Sequence, residues 1–126
     1  MTTLHQALQA FWSGFGIPAY VHGYAPKDAA MPYITYEMAQ GRPGTALLMT
    51  AFVWVKRTSG QDAEATREAY LDAISAALHP GKALGFTGGY ADLYPAETNF
   101  LSVYDDPNDP TVLGGRVALE VRFNCL

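Results

Sequence analysis

Leu4, Leu8, Phe11 and Phe15 recur three and four residues apart, and Ala7 and Trp12 widen the same stripe. Such spacing gathers apolar side chains on one side of a helix. Thr2 or Thr3 can cap its start and Gly14 and Gly16 stop it, so a helix is expected over residues 3–14. A short extended segment follows over 17–22, broken by Gly23 and Pro26, and residues 24–31 (YAPKDAAM) read as a polar loop. Pro32 then opens a run over 33–39 rich in β-branched and aromatic residues, a strand with proline at its entry. Residues 40–45 (QGRPGT) hold two glycines and a proline and read as a turn or long hairpin loop.

The stretch 46–57 is the most strand-like of the chain. Phe52 and Trp54 share one face, and Ala51, Val53 and Val55 the other. A strand apolar on both faces needs two covers. One face, or an edge near it, is therefore expected to lie against a neighbouring subunit or a second sheet, unless Phe52 and Trp54 belong to the ordinary core. Ser59 with Asp62 three residues on resembles a capping box, with Asp in place of the usual Glu or Gln. The helix it opens, about 61–78, is expected to turn Thr66, Tyr70, Ala73, Ile74 and Ala77 inward and Glu64, Arg67, Glu68 and Asp72 outward; Pro80 and Gly81 end it. Gly85, Gly88 and Gly89 mark a weak region, followed by short strands over 91–98 and 100–104. Residues 105–110 (DDPNDP) form an acidic turn. The last strand, 116–124, alternates Val117, Leu119, Val121 and Phe123 inward with Arg116, Glu120, Arg122 and Asn124 outward. Helix, strands, helix, strands, joined by short turns, imply one α+β domain over 1–126. Its sheet is mixed and mainly antiparallel, with two helices packed on one face.

Composition sharpens this picture. A chain of 126 residues fits one domain and buries enough surface to fold without disulfide or metal. Apolar residues make up 49% and charged residues 16%, which excludes a disordered chain. Eight Tyr, six Phe and two Trp are more large rings than a small core hides, so some are expected at a partner surface, which favours self-association. The net charge of −4 argues against a sequence-independent nucleic-acid binder, which needs a basic surface. Cys125, the one cysteine, can form neither an internal disulfide nor a thiolate metal site, and its place beside the C-terminus implies a packed or frayed end. The first residues (MTTLHQALQAFW) show no leader pattern and no apolar run is long enough to span a bilayer, so a cytosol-like compartment and no membrane partner are expected.

Candidate chemistry is sparse. His5, His22 and His79 have no further ligand at the close spacing of a helical metal motif, so no zinc site is expected. Asp105, Asp106, Asn108 and Asp109 could offer oxygens to calcium, but the spacing is not that of a twelve-residue loop, and two prolines make a rigid solvated turn the better account. Neither Ser59 nor Ser102 lies in a nucleophile elbow, no glycine-rich phosphate loop occurs, and nothing in the sequence brings Glu37 and Glu97 together. No catalytic, cofactor-binding or metal residues are assigned.

Residues 17–37 read IPAYVHGYAPKDAAMPYITYE. The short IPxY strand, the proline-containing loop and the PYITYE strand resemble the N-terminal half of tail-terminator (tail-completion) proteins of long-tailed phages. The order of elements around them matches as well: a leading helix, a long apolar strand, an amphipathic helix and a final alternating strand. The resemblance implies a non-enzymatic α+β virion subunit without cofactors. It would assemble in the host cytoplasm as a ring, commonly a hexamer, at the head-proximal end of the tail. Its partners would be its own copies, the tail tube protein and the head connector, with DNA passing through unread. Another head–tail connector ring is the alternative, and a small-molecule-binding or enzymatic α+β domain using the aromatics as a pocket a further one. Interface residues are expected in the loop of Gln40, Gly41, Arg42, Pro43, Gly44 and Thr45, at Phe52 and Trp54, and at Asp105, Asp106 and Asp109. Arg42 could pair with an acidic group on the next subunit. The acidic turn would face the DNA channel or a partner's basic patch, unless it is simply a solvated outer turn, because like charge repels phosphate over a Debye length of roughly 8 Å.

Overall fold

The computed structural model describes residues 2–38 and 44–125. The first helix, α1 (Leu4–Ser13), starts at a full capping box: Thr3 Oγ1 accepts from the Gln6 amide at 3.1 Å, and Gln6 Oε1 accepts from the Thr3 amide at 2.9 Å. Of the expected stripe it buries Leu4, Ala7, Leu8 and Trp12, while Phe11 and Phe15 are only partly buried against the core. Two short strands follow, β1 (Ala19–Val21) and β2 (Tyr33–Tyr36), both shorter than the sequence implied; residue 39 lies outside the described residues. The long strand β3 (Ala46–Lys56) leads to α2 (Ala63–Leu78). Then come β4 (Lys82–Phe86), β5 (Gly89–Pro95), β6 (Leu101–Val103) and β7 (Val112–Cys125).

All seven strands join one mixed, mainly antiparallel sheet of order β1-β2-β3-β7-β5-β4, with β6 also on β7. Only β1 and β2 run parallel among the described pairs. β7 is the spine. It pairs with β3 from Val112 to Arg122, while its other edge takes β6 beside Gly115–Val117 and β5 beside Leu119–Cys125.

Three expectations need correction. Asp62, not Ser59, caps α2, its carboxylate accepting from the Ala65 amide at 3.1 Å. The buried stripe of α2 is Ala63, Arg67, Leu71, Ile74 and Leu78, so the helix is turned about one residue from the face expected, and Arg67 points inward. The glycine-marked weak region is the β4–β5 hairpin, closed by Thr87 and by Gly88 at φ +90°, a conformation that suits glycine.

Both helices lie on one face of the sheet. Tyr36, Ala51 and Val117 are neighbours across β2, β3 and β7, and Ile34, Val53 and Gly115 form the next row on the same side. Trp12 of α1 stacks on Tyr36 at 6.2 Å between ring centres, and Leu71 of α2 lies over Gly115. The alternate residues Met49, Ala51, Val53 and Val55 of β3 and Val117, Leu119, Val121 and Phe123 of β7 complete this core. The sheet also curls. α1 packs against β1 and β4, the two ends of the strand order. Gln9 Nε2 donates to the Ala19 carbonyl at 2.9 Å, and the Thr87 amide beyond β4 donates to Thr2 O at 2.7 Å. One helix thus touches both edges, where unpaired backbone would otherwise invite other strands.

Candidate interaction surface

The face of the sheet turned away from the helices carries Tyr33, Thr35, Phe52, Trp54, Gly114 and Arg116, as the cross-strand register requires. Phe52 and Trp54 stack with centroids 5.4 Å apart and planes at 18°. Tyr104, just beyond β6, meets Phe52 edge-on at 5.4 Å and Trp54 at 5.8 Å. His22 extends the cluster to one side, 6.2 Å from Phe52, and Tyr20 and Tyr33 form an edge-to-face pair at 5.6 Å nearby. Trp54 Nε1 donates to Thr35 Oγ1 at 2.9 Å, which satisfies the buried threonine. Burial, and secondarily Tyr20, push the Tyr33 hydroxyl above its ordinary pKa. Part of the second cover expected over Phe52 and Trp54 therefore comes from this chain, through Tyr104. That cover is incomplete: both rings are only half-buried and Tyr104 is 46% exposed.

The far end of the same face is polar. Glu120 pairs with Arg122 at 3.1 Å, the Arg122 guanidinium sits 5.2 Å from the Tyr94 ring centre, and Asn124 donates to Asp92 at 3.2 Å. Leu48 stands among these groups 77% exposed.

The expected interface residues fall in separate places. Gln40, Gly41, Arg42 and Pro43 lie outside the described residues. Gly44 and Thr45 extend the β3–β7 ladder, the Gly44 amide donating to Phe123 O at 2.7 Å and the Phe123 amide to Thr45 O at 3.1 Å. Thr45 lies nine residues along an extended chain from Trp54, roughly 30 Å at about 3.3 Å per residue, so Thr45 does not meet the aromatic cluster.

The acidic turn, by contrast, adjoins Tyr104. Asp105 binds the guanidinium of Arg67 at 3.2 Å. Asp106 accepts from the Asn108 amide at 2.8 Å, and Asp109 accepts from the amide and hydroxyl of Thr111 at 3.0 and 2.6 Å. The Thr111 hydroxyl and amide hold the Asp109 carboxyl below its ordinary pKa. Asp106 and Asp109 thus make Asx-type bonds within the turn, and Asp105 ties it to α2.

Sequence reasoning missed Tyr104 as the lid of the aromatic cluster, and nothing in its local spacing marks it. It also missed a groove of about 880 Å³ between α1 and β1, where His5, Gln9, Tyr20, His22, Tyr24 and Glu37 meet. His5 and His22 stand 17 positions apart in the chain, so no short motif reveals that both line it. Among the described residues no three His, Cys, Asp or Glu side chains gather closely enough to hold a metal, and no helix is long and apolar enough to cross a membrane. Comparison with family models, with curated proteins and with solved structures finds no match.

Proposed function

We propose that this chain is a tail-terminator subunit of a long-tailed phage. In this reading it caps the head-proximal end of the tail tube and joins it to the head connector by ring assembly, without catalysis. The observation that carries the proposal is the resemblance over residues 17–37, whose two strands pair with each other and pack against the leading helix. Trp12 stacks on Tyr36, and the Tyr36 hydroxyl donates to Gln9. The half-covered rings of Phe52, Trp54 and Tyr104 add support, since contiguous apolar surface of this kind marks a protein partner. So does the net charge of −4, which suits a lumen that DNA crosses without sticking.

Size-exclusion chromatography with light scattering tests the assembly, alone and with tail tube protein. A closed ring is expected, probed at six times the subunit mass. Complementation of a phage lacking its terminator tests the location: restored head joining supports the terminator, and failure with an intact ring favours another neck position. A chain that stays monomeric in both mixtures sinks the proposal and favours a small-molecule-binding domain, with the α1–β1 groove as its site.

A further inference from the structure

Arg116 is an isolated cation on the open face of the sheet. Gly114 and Ala118 lie before and after it on that face, Phe52 stands opposite it on β3 and Ser102 opposite it on β6. Its diagonal neighbours on β3, Thr50 and Trp54, are neutral too. Carboxylates further along the face are engaged, Glu37 by the Thr50 hydroxyl and Glu120 by Arg122. Glu97 lines a groove with Arg116, yet among the described residues Arg116 makes no ion pair. Residues 1, 39–43 and 126, outside the described residues, include no acidic side chain. A half-buried guanidinium beside aromatic rings calls for a carboxylate, and nothing on its own face supplies one.

The complement lies on the opposite side of the molecule. Glu68 and Asp72 are exposed one turn apart on the outer side of α2, and no lysine or arginine stands three or four residues from either. Like charges at that spacing repel. Among the described residues neither forms an ion pair. Arg42 is too far to serve them. It precedes Gly44 by two residues, and Gly44 bonds Phe123, eight positions along β7 from the Gly115 beneath Leu71, roughly 26 Å at about 3.3 Å per residue. Ala65, Ala69, Ala73 and Ala76 are exposed around the two acids, so this side of the helix is low enough for a sheet to approach closely.

We infer that α2 of one copy docks on the aromatic end of the open sheet face of the next, with Glu68 and Asp72 meeting Arg116 and the alanines seated against Phe52, Trp54 and Tyr104. The two patches sit on opposite sides of one subunit, so they meet only between copies, head to tail, in the arrangement that closes into rings. This contact rests on the ring reading and specifies which surfaces build it.

Charge reversal with light scattering on the full chain tests it. Glu68→Arg combined with Asp72→Arg alters only exposed helix positions and should give a folded monomer by circular dichroism. Arg116→Glu should do the same, and the milder Arg116→Gln should weaken assembly about tenfold. Mixed in equal amounts, the two charge-reversed monomers should return to ring mass, because every junction again joins unlike charges. A ring that survives the α2 reversal overturns the contact, as do folded monomers that stay apart on mixing. If Arg116→Glu does not fold, full assembly of Arg116→Gln overturns it equally. A native chain that is monomeric alone and with tail tube protein removes the ring reading and the contact together, whereas a native ring indifferent to these substitutions removes the contact alone.

Discussion

Gly114 and Gly115 stand side by side on β7 and are pressed from opposite faces. A Cβ at Gly114 would overlap the carbonyl oxygen of Tyr104 and lie 3.0 Å from the Trp54 ring, while one at Gly115 would lie 2.8 Å from Leu71. The first obstacle is backbone and cannot swing away. Gly114→Ala is therefore expected to cost about 1–3 kcal/mol through overpacking, read as a lower urea midpoint. Fluorescence should also change as Tyr104 shifts from Trp54. The neighbouring Arg67 poses a different problem. It is buried on α2, its Nε finds no partner, and its charge is met by Asp105, whose side chain is 56% exposed. Asp105→Asn should destabilise by about 1 kcal/mol, discounted for solvent at the carboxylate, whereas Arg67→Met should be nearly neutral because it removes the buried charge itself. A larger loss for Arg67→Met in urea unfolding would show that the ion pair stabilises the fold. This pair also explains why the buried face of α2 was not legible. Counting Arg67 as polar put it outside, and the partner that lets it turn inward lies 38 residues away.

At the scale of elements, α1 acts as a clamp between β1 and β4 rather than as a cover for the middle of the sheet. Thr3→Ala removes the capping hydroxyl and should cost about 1 kcal/mol. Hydrogen exchange should then quicken at Tyr20 and Leu84 together, with Val53 and Leu119 unchanged. Faster exchange at one edge alone would contradict the clamp. The acidic turn gives the pH test. The folded Asp109 carboxyl titrates below its unfolded value, so its contribution is complete above about pH 4 and is lost as pH falls through the folded pKa. The stability difference between the native chain and Thr111→Val should accordingly be present at pH 6 and shrink as acid protonates the carboxyl. Elements with strong local signals were readable in advance: the α1 stripe, the two-faced β3 and the alternation of β7. β4 was not, because Gly81, Gly85 and Gly88 look like breakers until the Thr87–Gly88 turn pairs Phe86 with Gly89. The start of β7 was hidden likewise, since Gly114 and Gly115 are there for close approach of Tyr104 and Leu71, contacts that the local sequence cannot show.

For the whole molecule the issue is the sheet face that no helix covers. One end of it carries the rings of Phe52, Trp54 and Tyr104, the other the Glu120–Arg122 pair with exposed Leu48. The aromatic cluster was legible only in part, because adjacency of Phe52 and Trp54 follows from strand alternation, whereas the lid from Tyr104 depends on the path of the chain after β6. Tyr104 leaves the cluster half-buried, so two accounts compete: a neighbouring copy completes the cover, or the rings are an ordinary secondary core. Phe52→Gln separates them, since it keeps the side-chain length but opposes a dry contact. If a copy covers the cluster, the substitution should shift light scattering from ring to folded monomer, with the monomer's own melting temperature lowered by only a few degrees. Leu48→Gln, at the polar end of the same face, marks how far that contact reaches: loss of the ring there too extends it over the whole face, and an intact ring confines it to the aromatic end. An intact ring for Phe52→Gln together with a large fall in melting temperature would assign the aromatic cluster to the subunit's own core and move the search for the ring contact elsewhere.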